Sequence, residues 1–155
     1  LNRIEVIRMN KKTLTELTNL CLIYNDNNEI LVEEKITKYG KKIVLPGGHV
    51  ENNESLKDAI IREIYEETNL VITNPILCGI KDKCNADNSR FIVFLYKCNK
   101  FTGEIKSSNE GNVFWMKKED FINLDTIWNM KEILKVIESN QADELYLFDE
   151  NFNIL

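Results

Sequence analysis

Glu63, Glu66 and Glu67 fall within one turn of a stretch with helical spacing. At i, i+3 and i+4 they project from one helix face, within an arc of about 100° at 3.6 residues per turn. Like charges so placed repel, by roughly a few tenths of a kcal/mol per pair on an isolated helix, and a divalent cation reverses that penalty. Mg²⁺ suits the pattern: it takes few carboxylates in octahedral oxygen coordination and leaves its other positions to water and substrate phosphate. The plainer alternative is a solvated helix face. Arg62, one residue before Glu63 and four before Glu66, can orient a carboxylate by bidentate hydrogen bonds without binding metal. Just upstream, Gly47-Gly48 lets a main-chain carbonyl, that of Gly48, approach the same ion where a Cβ would hinder it. His49 is the only histidine, so a Ser/His or Cys/His nucleophile has little to draw on. It stands where it can contact phosphate, or is an ordinary loop residue. Lys35 and Lys42, near strand ends, are further phosphate candidates.

The elements that must position these groups are readable in outline. Thr18–Tyr24 is strand-like, Asn25-Asp26-Asn27-Asn28 is a turn cluster, and Glu29–Glu34 resumes with alternating apolar residues, which predicts a hairpin. Lys42–Leu45 is a short apolar strand ending at Pro46-Gly47-Gly48. Ser55 and Asp58 resemble a capping box, Leu56, Ala59, Ile60 and Ile64 form an apolar stripe, and Asn69 suits a left-handed closing position. A helix is therefore expected from Ser55 to near Thr68. Strands are expected over Ile76–Ile80, Arg90–Tyr96 and Val113–Met116, and an amphipathic helix over Ile127–Ile137.

Strands mixed with two helices point to an α+β fold with a sheet covered on both faces. The expected division is a polar lead-in over 1–17, in which Met9 is an alternative start, one domain over 18–138, and a tail over 139–155 that is an edge strand, an interface or loose coil. With 155 residues, 43% hydrophobic and 29% charged, the chain is neither disordered nor collagen-like. The longest uncharged stretch, Thr68–Ile80, falls short of the roughly 18 apolar residues of a membrane span. A net charge of −5 disfavours a nucleic-acid polymer or an anionic membrane as partner. Without a signal-peptide pattern the expected location is the cytoplasm. Cys21, Cys78, Cys84 and Cys98 form no CxxC pair, so neither zinc nor a disulfide framework is expected.

From Gly48 to Leu70 the chain resembles the Nudix box: Gly, five residues, Glu, seven residues, Arg-Glu, an aliphatic, any residue, Glu-Glu, any residue, Gly, an aliphatic. Gly48, Glu54, Arg62, Glu63, Ile64, Glu66, Glu67 and Leu70 match in register, and Asn69 alone departs, in place of the closing Gly. The resemblance implies a Nudix-type α/β/α sandwich with a mixed β-sheet. It also implies hydrolysis of a nucleoside diphosphate linked to another group, with Mg²⁺ or Mn²⁺, by attack of water on phosphorus. Glu63, Glu66, Glu67 and the Gly48 carbonyl would hold metal, and Glu54 would brace Arg62. Glu63 or a carboxylate from a later loop would take the water's proton. Glu110, before the strand Val113–Met116, is the candidate for that later carboxylate, and the alternative is a surface glutamate.

The stretches PGGHVE, LCGIK and SSNEGNVFWM make the chain similar to the MutT/MutX branch, which converts 8-oxo-dGTP to the monophosphate. In that branch a residue at the start of the last helix reads the purine. Trp128 and Asn129 occupy the region here, one offering a stacking face and the other a donor and acceptor. Their alternatives are core and helix cap. ADP-ribose and nucleotide-sugar pyrophosphatases share the box but often carry a proline roughly fifteen residues beyond it, where this chain has Ala86. Some Nudix domains bind nucleotides as sensors without turnover, usually with degraded glutamates, and here all three persist.

Overall fold

The computed structural model describes residues 12–148 and 151–155. The start of the expected lead-in, Met9 included, lies outside them. Ten strands and three helices follow in chain order among the described residues: β1 (Thr15–Ile23), β2 (Glu29–Thr37), β3 (Gly40–Val44), α1 (Leu56–Thr68), β4 (Val71–Ile72), β5 (Ile76–Cys84), β6 (Arg90–Cys98), β7 (Phe101–Thr102), β8 (Asn112–Lys117), α2 (Lys118–Asn123), α3 (Met130–Glu138), β9 (Glu144–Phe148) and β10 (Asn151–Ile154).

A five-stranded mixed sheet runs in the order β1-β6-β5-β9-β10, and a three-stranded antiparallel sheet in the order β3-β2-β8. Within the first sheet, β1 lies parallel to β6 and β5 parallel to β9, while β5 and β6 are antiparallel. Because successive side chains on a strand point to opposite faces, the sheets divide their residues between two cores. Leu22, Ile30, Val32, Val93 and Leu95 pack with the α3 residues Met130, Ile133 and Ile137. Cys21, Ile23, Leu31, Tyr96 and Cys98 pack with Ile60 and Ile64 of α1. This is the expected α+β sandwich, with helices on both sides of strand layers.

Helix α1 begins and ends where its caps dictate. Ser55 Oγ accepts from the Asp58 backbone N–H at 3.0 Å, and Asn69 closes the helix in a left-handed conformation, φ +64°. Asparagine does here what a closing glycine would do, because its short polar side chain tolerates that region.

Elsewhere the sequence reading needs correction. Strand β1 starts at Thr15, ahead of the boundary expected at 18, because Thr15, Glu16 and Leu17 already pair with Arg90, Phe91 and Ile92 of β6. The last helix starts at Met130, not at Ile127: Trp128 and Asn129 both have positive φ, +59° and +62°, so no helix can run through them. The short elements β4, β7 and α2 carry too few residues to show a period. The tail left open is an edge: β9 adds to β5, and β10 pairs antiparallel with β9.

Candidate active site

The free edge of β1 is covered by the loop that leads to α1. Asn19 N–H donates to Gly48 O (2.8 Å), Cys21 N–H to Pro46 O (3.0 Å) and Val50 N–H to Leu17 O (3.0 Å). Such close approach requires glycine: a Cβ on Gly47, whose φ is +148°, would lie 2.8 Å from Leu20 Cα, and one on Gly48 would overlap the Glu63 carboxylate. The Gly48 carbonyl, expected to face a metal, accepts from Asn19 and keeps one lone pair free among the described residues.

Arg62 organises the acidic face of α1. Its Nε and Nη2 donate to the two oxygens of Glu54 (3.1 and 2.7 Å), Nη1 donates to Glu63 (2.9 Å) and Glu66 (3.0 Å), and Nη2 also donates to His49 O (3.0 Å). One planar guanidinium thereby ties the loop to three carboxylates of the box, the geometry for which arginine rather than lysine is suited. Hydrogen bonds from Arg62 and from the Glu51 N–H hold the Glu54 carboxyl below its ordinary range.

The three glutamates are not equivalent. Glu66 is half exposed and Glu63 largely covered, while Glu67, which continues the buried stripe of Ile60 and Ile64, is 1% exposed. Burial pushes the Glu67 carboxyl up to about 7, with Lys35 opposing and Glu33 adding to the rise. Glu67 accepts from the Gly47 N–H (2.7 Å) and from Lys35 Nζ (2.6 Å). Burial likewise raises Glu63, against the pull of Arg62.

Glu33 was missed by the sequence reading. It is fully buried, neither oxygen makes a hydrogen bond among the described residues, and Lys35 Nζ lies 3.1 Å away as an ion pair. The signal was present in strand alternation: Leu31, Glu33 and Lys35 share a face, and Leu31 belongs to the α1 core. Asn19 is a second omission. Its Oδ1 accepts from the Gly48 N–H (3.3 Å), which fixes the amide, and its buried Nδ2 has no partner among the described residues.

A cavity of about 860 Å³ opens beside this cluster and is lined by Gly48, His49, Arg62, Glu63, Glu66, Glu67, Lys35, Glu110 and Trp128. Glu110 is exposed and contributes to the raised carboxyls of Glu33 and Glu63. His49 stands at the rim, 69% exposed, with Nε2 2.7 Å from Glu16 Oε1. Two of the expected substrate-binding residues lie off this cavity. Lys42 does not line the cavity and pairs with Asp125 at 3.3 Å, because its place on β3 carries it to the α2–α3 connection. Asn129 does not line it either: in its left-handed position it precedes α3 without a side-chain cap bond.

No three His, Cys, Asp or Glu side chains among the described residues converge as a ready coordination shell. The carboxylates are held instead by Arg62 and Lys35. The donor set is nevertheless all oxygen, and burial, with neighbouring carboxylates adding to it, raises the Glu33, Glu63 and Glu67 carboxyls against the pull of Lys35 and Arg62. A hard divalent cation fits that chemistry.

The NUDIX domain model matches residues 15–136, most of the chain. The chain belongs to the Nudix family. Over 116 residues it is 32% identical to the uncharacterized Nudix hydrolase YvcI of Bacillus subtilis, covering 72% of this chain and 71% of that protein. It is 28% identical over 107 residues to an ADP-ribose pyrophosphatase of Methanocaldococcus jannaschii, covering 68% of this chain and 60% of that relative. Among solved structures, the mutator MutT protein of Bacillus halodurans superposes with a TM-score of 0.71 at 27% identity, covering 90% of this chain and 94% of that one. As a Nudix hydrolase the chain is a pyrophosphohydrolase of nucleoside diphosphate derivatives, a family that generally uses divalent metal ions. No helix among the described residues is long and apolar enough to cross a membrane.

Proposed function

We propose that this Nudix hydrolase cleaves a purine nucleoside triphosphate, with an oxidised one such as 8-oxo-dGTP as the leading candidate, to the monophosphate and pyrophosphate. The observation that carries the reading is the polarity of the cavity. Its acidic end gathers Gly48, Arg62, Glu63, Glu66, Glu67 and Lys35, and away from the box its walls are mainly apolar, Leu20, Phe91, Val93, Met130, Ile133 and the half-exposed Trp128, with Lys81 and Lys83 set among them. One end suits phosphates and the other a single base, with Trp128 as a stacking face.

In this reading Glu63, Glu66, Glu67 and the free lone pair of Gly48 O would hold Mg²⁺ or Mn²⁺. When bound, the cation neutralises charge on the phosphate oxygens and the leaving pyrophosphate. Arg62 keeps Glu63 and Glu66 aimed at the cavity, and Lys35, which lines the cavity beside Glu67, would offer its ammonium to a phosphate oxygen. Glu110 takes the proton of the attacking water, since its carboxylate carries no ion pair among the described residues while Glu63 is tied to Arg62. Hydrolysis by a soluble protein of the cytoplasm, without a nucleic-acid polymer, accords with the acidic charge balance.

ADP-ribose is the second reading, favoured by the similarity to the Methanocaldococcus jannaschii enzyme. The experiment that decides is a metal-dependent hydrolysis screen over 8-oxo-dGTP, ordinary nucleoside triphosphates, ADP-ribose, nucleotide sugars and dinucleoside polyphosphates, resolving pyrophosphate from phosphate. Selective release of pyrophosphate from 8-oxo-dGTP is the expected result. Preference for ADP-ribose overturns the substrate and leaves the hydrolase, and silence on every compound points to a nucleotide-binding sensor.

A further inference from the structure

Three strands of the main sheet present one face to the cavity, and their register sets what that face contains. Thr18 pairs with Val93 and Val93 with Lys81; Glu16 pairs with Phe91 and Phe91 with Lys83. Paired residues share a face, so Lys81 and Lys83 stand on the same side as Val93 and Phe91, opposite α3. All six residues line the cavity.

Lys81 is the unusual member. It is 6% exposed and sits among apolar and aromatic walls, Val93, Trp128, Met130 and Ile133. An ammonium carries three donors. One goes to Trp128 O at 2.7 Å, and no carboxylate among the described residues lies within ion-pair distance of Nζ. A buried cation with a single neutral acceptor is costly; burial and the neighbouring Lys83 push it down to about 8, against the pull of Glu132, which lies beyond ion-pair distance. Below that pH it is still a donor, and its cost is relieved by whatever acceptor enters the pocket. Its one bond falls on a residue whose backbone is strained. Trp128 has φ +59°, a conformation that bulky side chains rarely adopt. The same contact therefore holds the indole at the cavity mouth and places the ammonium on the cavity floor.

We propose that Lys81 is a specificity-determining residue that reads the base edge, selecting 6-oxopurines such as guanine or hypoxanthine over 6-aminopurines such as adenine. The reason is donor and acceptor matching. Guanine, hypoxanthine and 8-oxoguanine all present the O6 acceptor, the last although its N7 carries a proton, whereas adenine puts the N6 amino donor at that position, where it would meet the donor-only ammonium. Lys83, further along the same strand, and Asn85, just past its end, also line the cavity, and neither shares the burial of Lys81. The inference rests on the reading that a nucleotide places its base at this end of the cavity.

The test uses matched pairs on the whole protein: GTP and ITP against ATP, and guanosine diphosphate sugars against their adenosine counterparts, for wild type and for Lys81→Met, which keeps length and removes the donors. The wild type is expected to favour the 6-oxopurine member roughly 10-fold or more in kcat/KM, with ITP grouping with GTP because the 2-amino group plays no part. Lys81→Met is expected to bring the ratio towards one. Equal turnover of GTP and ATP by the wild type overturns the proposal, as does a ratio that the substitution leaves unchanged, which would make Lys81 a strut for Trp128 alone. If the variant does not fold, binding of GMP and AMP to the wild type, followed by tryptophan fluorescence, decides in its place, with equal affinity the overturning result. Turnover confined to the diphosphate sugars defeats the triphosphate reading while the base ratio remains measurable.

Discussion

The two ends of the cavity are built in different ways. At the charged end one guanidinium holds Glu54, Glu63 and Glu66, residues within three turns of one helix and its leading loop. At the base end Lys81 comes from β5, Phe91 and Val93 from β6, Leu20 from β1 and Trp128 from the turn before α3. The first constellation is assembled by helical spacing, the second by strand register and a strained turn. On the proposed reading, a residue lost from the charged end removes chemistry, and one lost from the end proposed to take the base changes what is admitted.

The comparison can be broken first at Glu67. Glu67→Gln keeps volume and removes a charge, so turnover is expected to fall by more than the roughly 10–100-fold typical of residues that only support metal ligands, with the circular dichroism spectrum unchanged. Near-normal turnover at saturating Mg²⁺ would remove Glu67 from the metal site. Arg62→Lys retains charge but loses the fork that reaches Glu54, Glu63, Glu66 and His49 O together, and a loss of about 10–100-fold in kcat is expected. An effect confined to KM would show that Arg62 binds substrate instead of orienting glutamates.

At the base end the expected effect is smaller and of another kind. Trp128→Ala should raise KM about 10-fold or more, the scale of one lost base stack, with kcat largely kept. A fall in kcat without a change in KM would mean that the indole belongs to the chemical end.

Stability should depend on pH through Glu67. Its carboxyl is pushed from the ordinary 4.5 to about 7, so the folded protein keeps a proton that the unfolded chain gives up between those values. The metal-free protein therefore has this contribution in full below pH 4.5 and loses it as pH rises through 7. Melting temperatures in chelator should decline across that window, and added Mg²⁺ should raise them more at pH 8 than at pH 5. A flat profile would show that Lys35 compensates Glu67 fully. The smallest effect is expected at Asn129: replacing it by Ala should cost about 1 kcal/mol from the left-handed backbone, measured by denaturant unfolding, and leave base selectivity unchanged. A shift in selectivity would bring Asn129 back as a reader of the base.

What could be read in advance follows the same division. The caps at Ser55 and Asn69 and the reach of Arg62 to Glu63 and Glu66 depend on residues within a few positions of each other, so spacing alone locates them. Glu33 was legible in principle, since alternation puts it on the face of Leu31, but a glutamate in a strand reads as solvent-facing until its partner Lys35 is seen bound to Glu67. Trp128 lines the cavity, but on a left-handed turn and not within the expected helix. A helical pattern from Ile127 does not reveal that Lys81, 47 positions earlier, holds the Trp128 carbonyl.

The sequence by itself determined the box helix, its caps, the carboxylate cluster and hence the family and reaction class, because those rest on local hydrogen bonds and a 3.6-residue period. Only the tertiary structure decided which glutamate is buried, which lysines face the cavity and which strand residues line it away from the box. Those depend on strand register and on burial, and a shift of one residue in pairing would move Lys81 to the opposite face of the sheet.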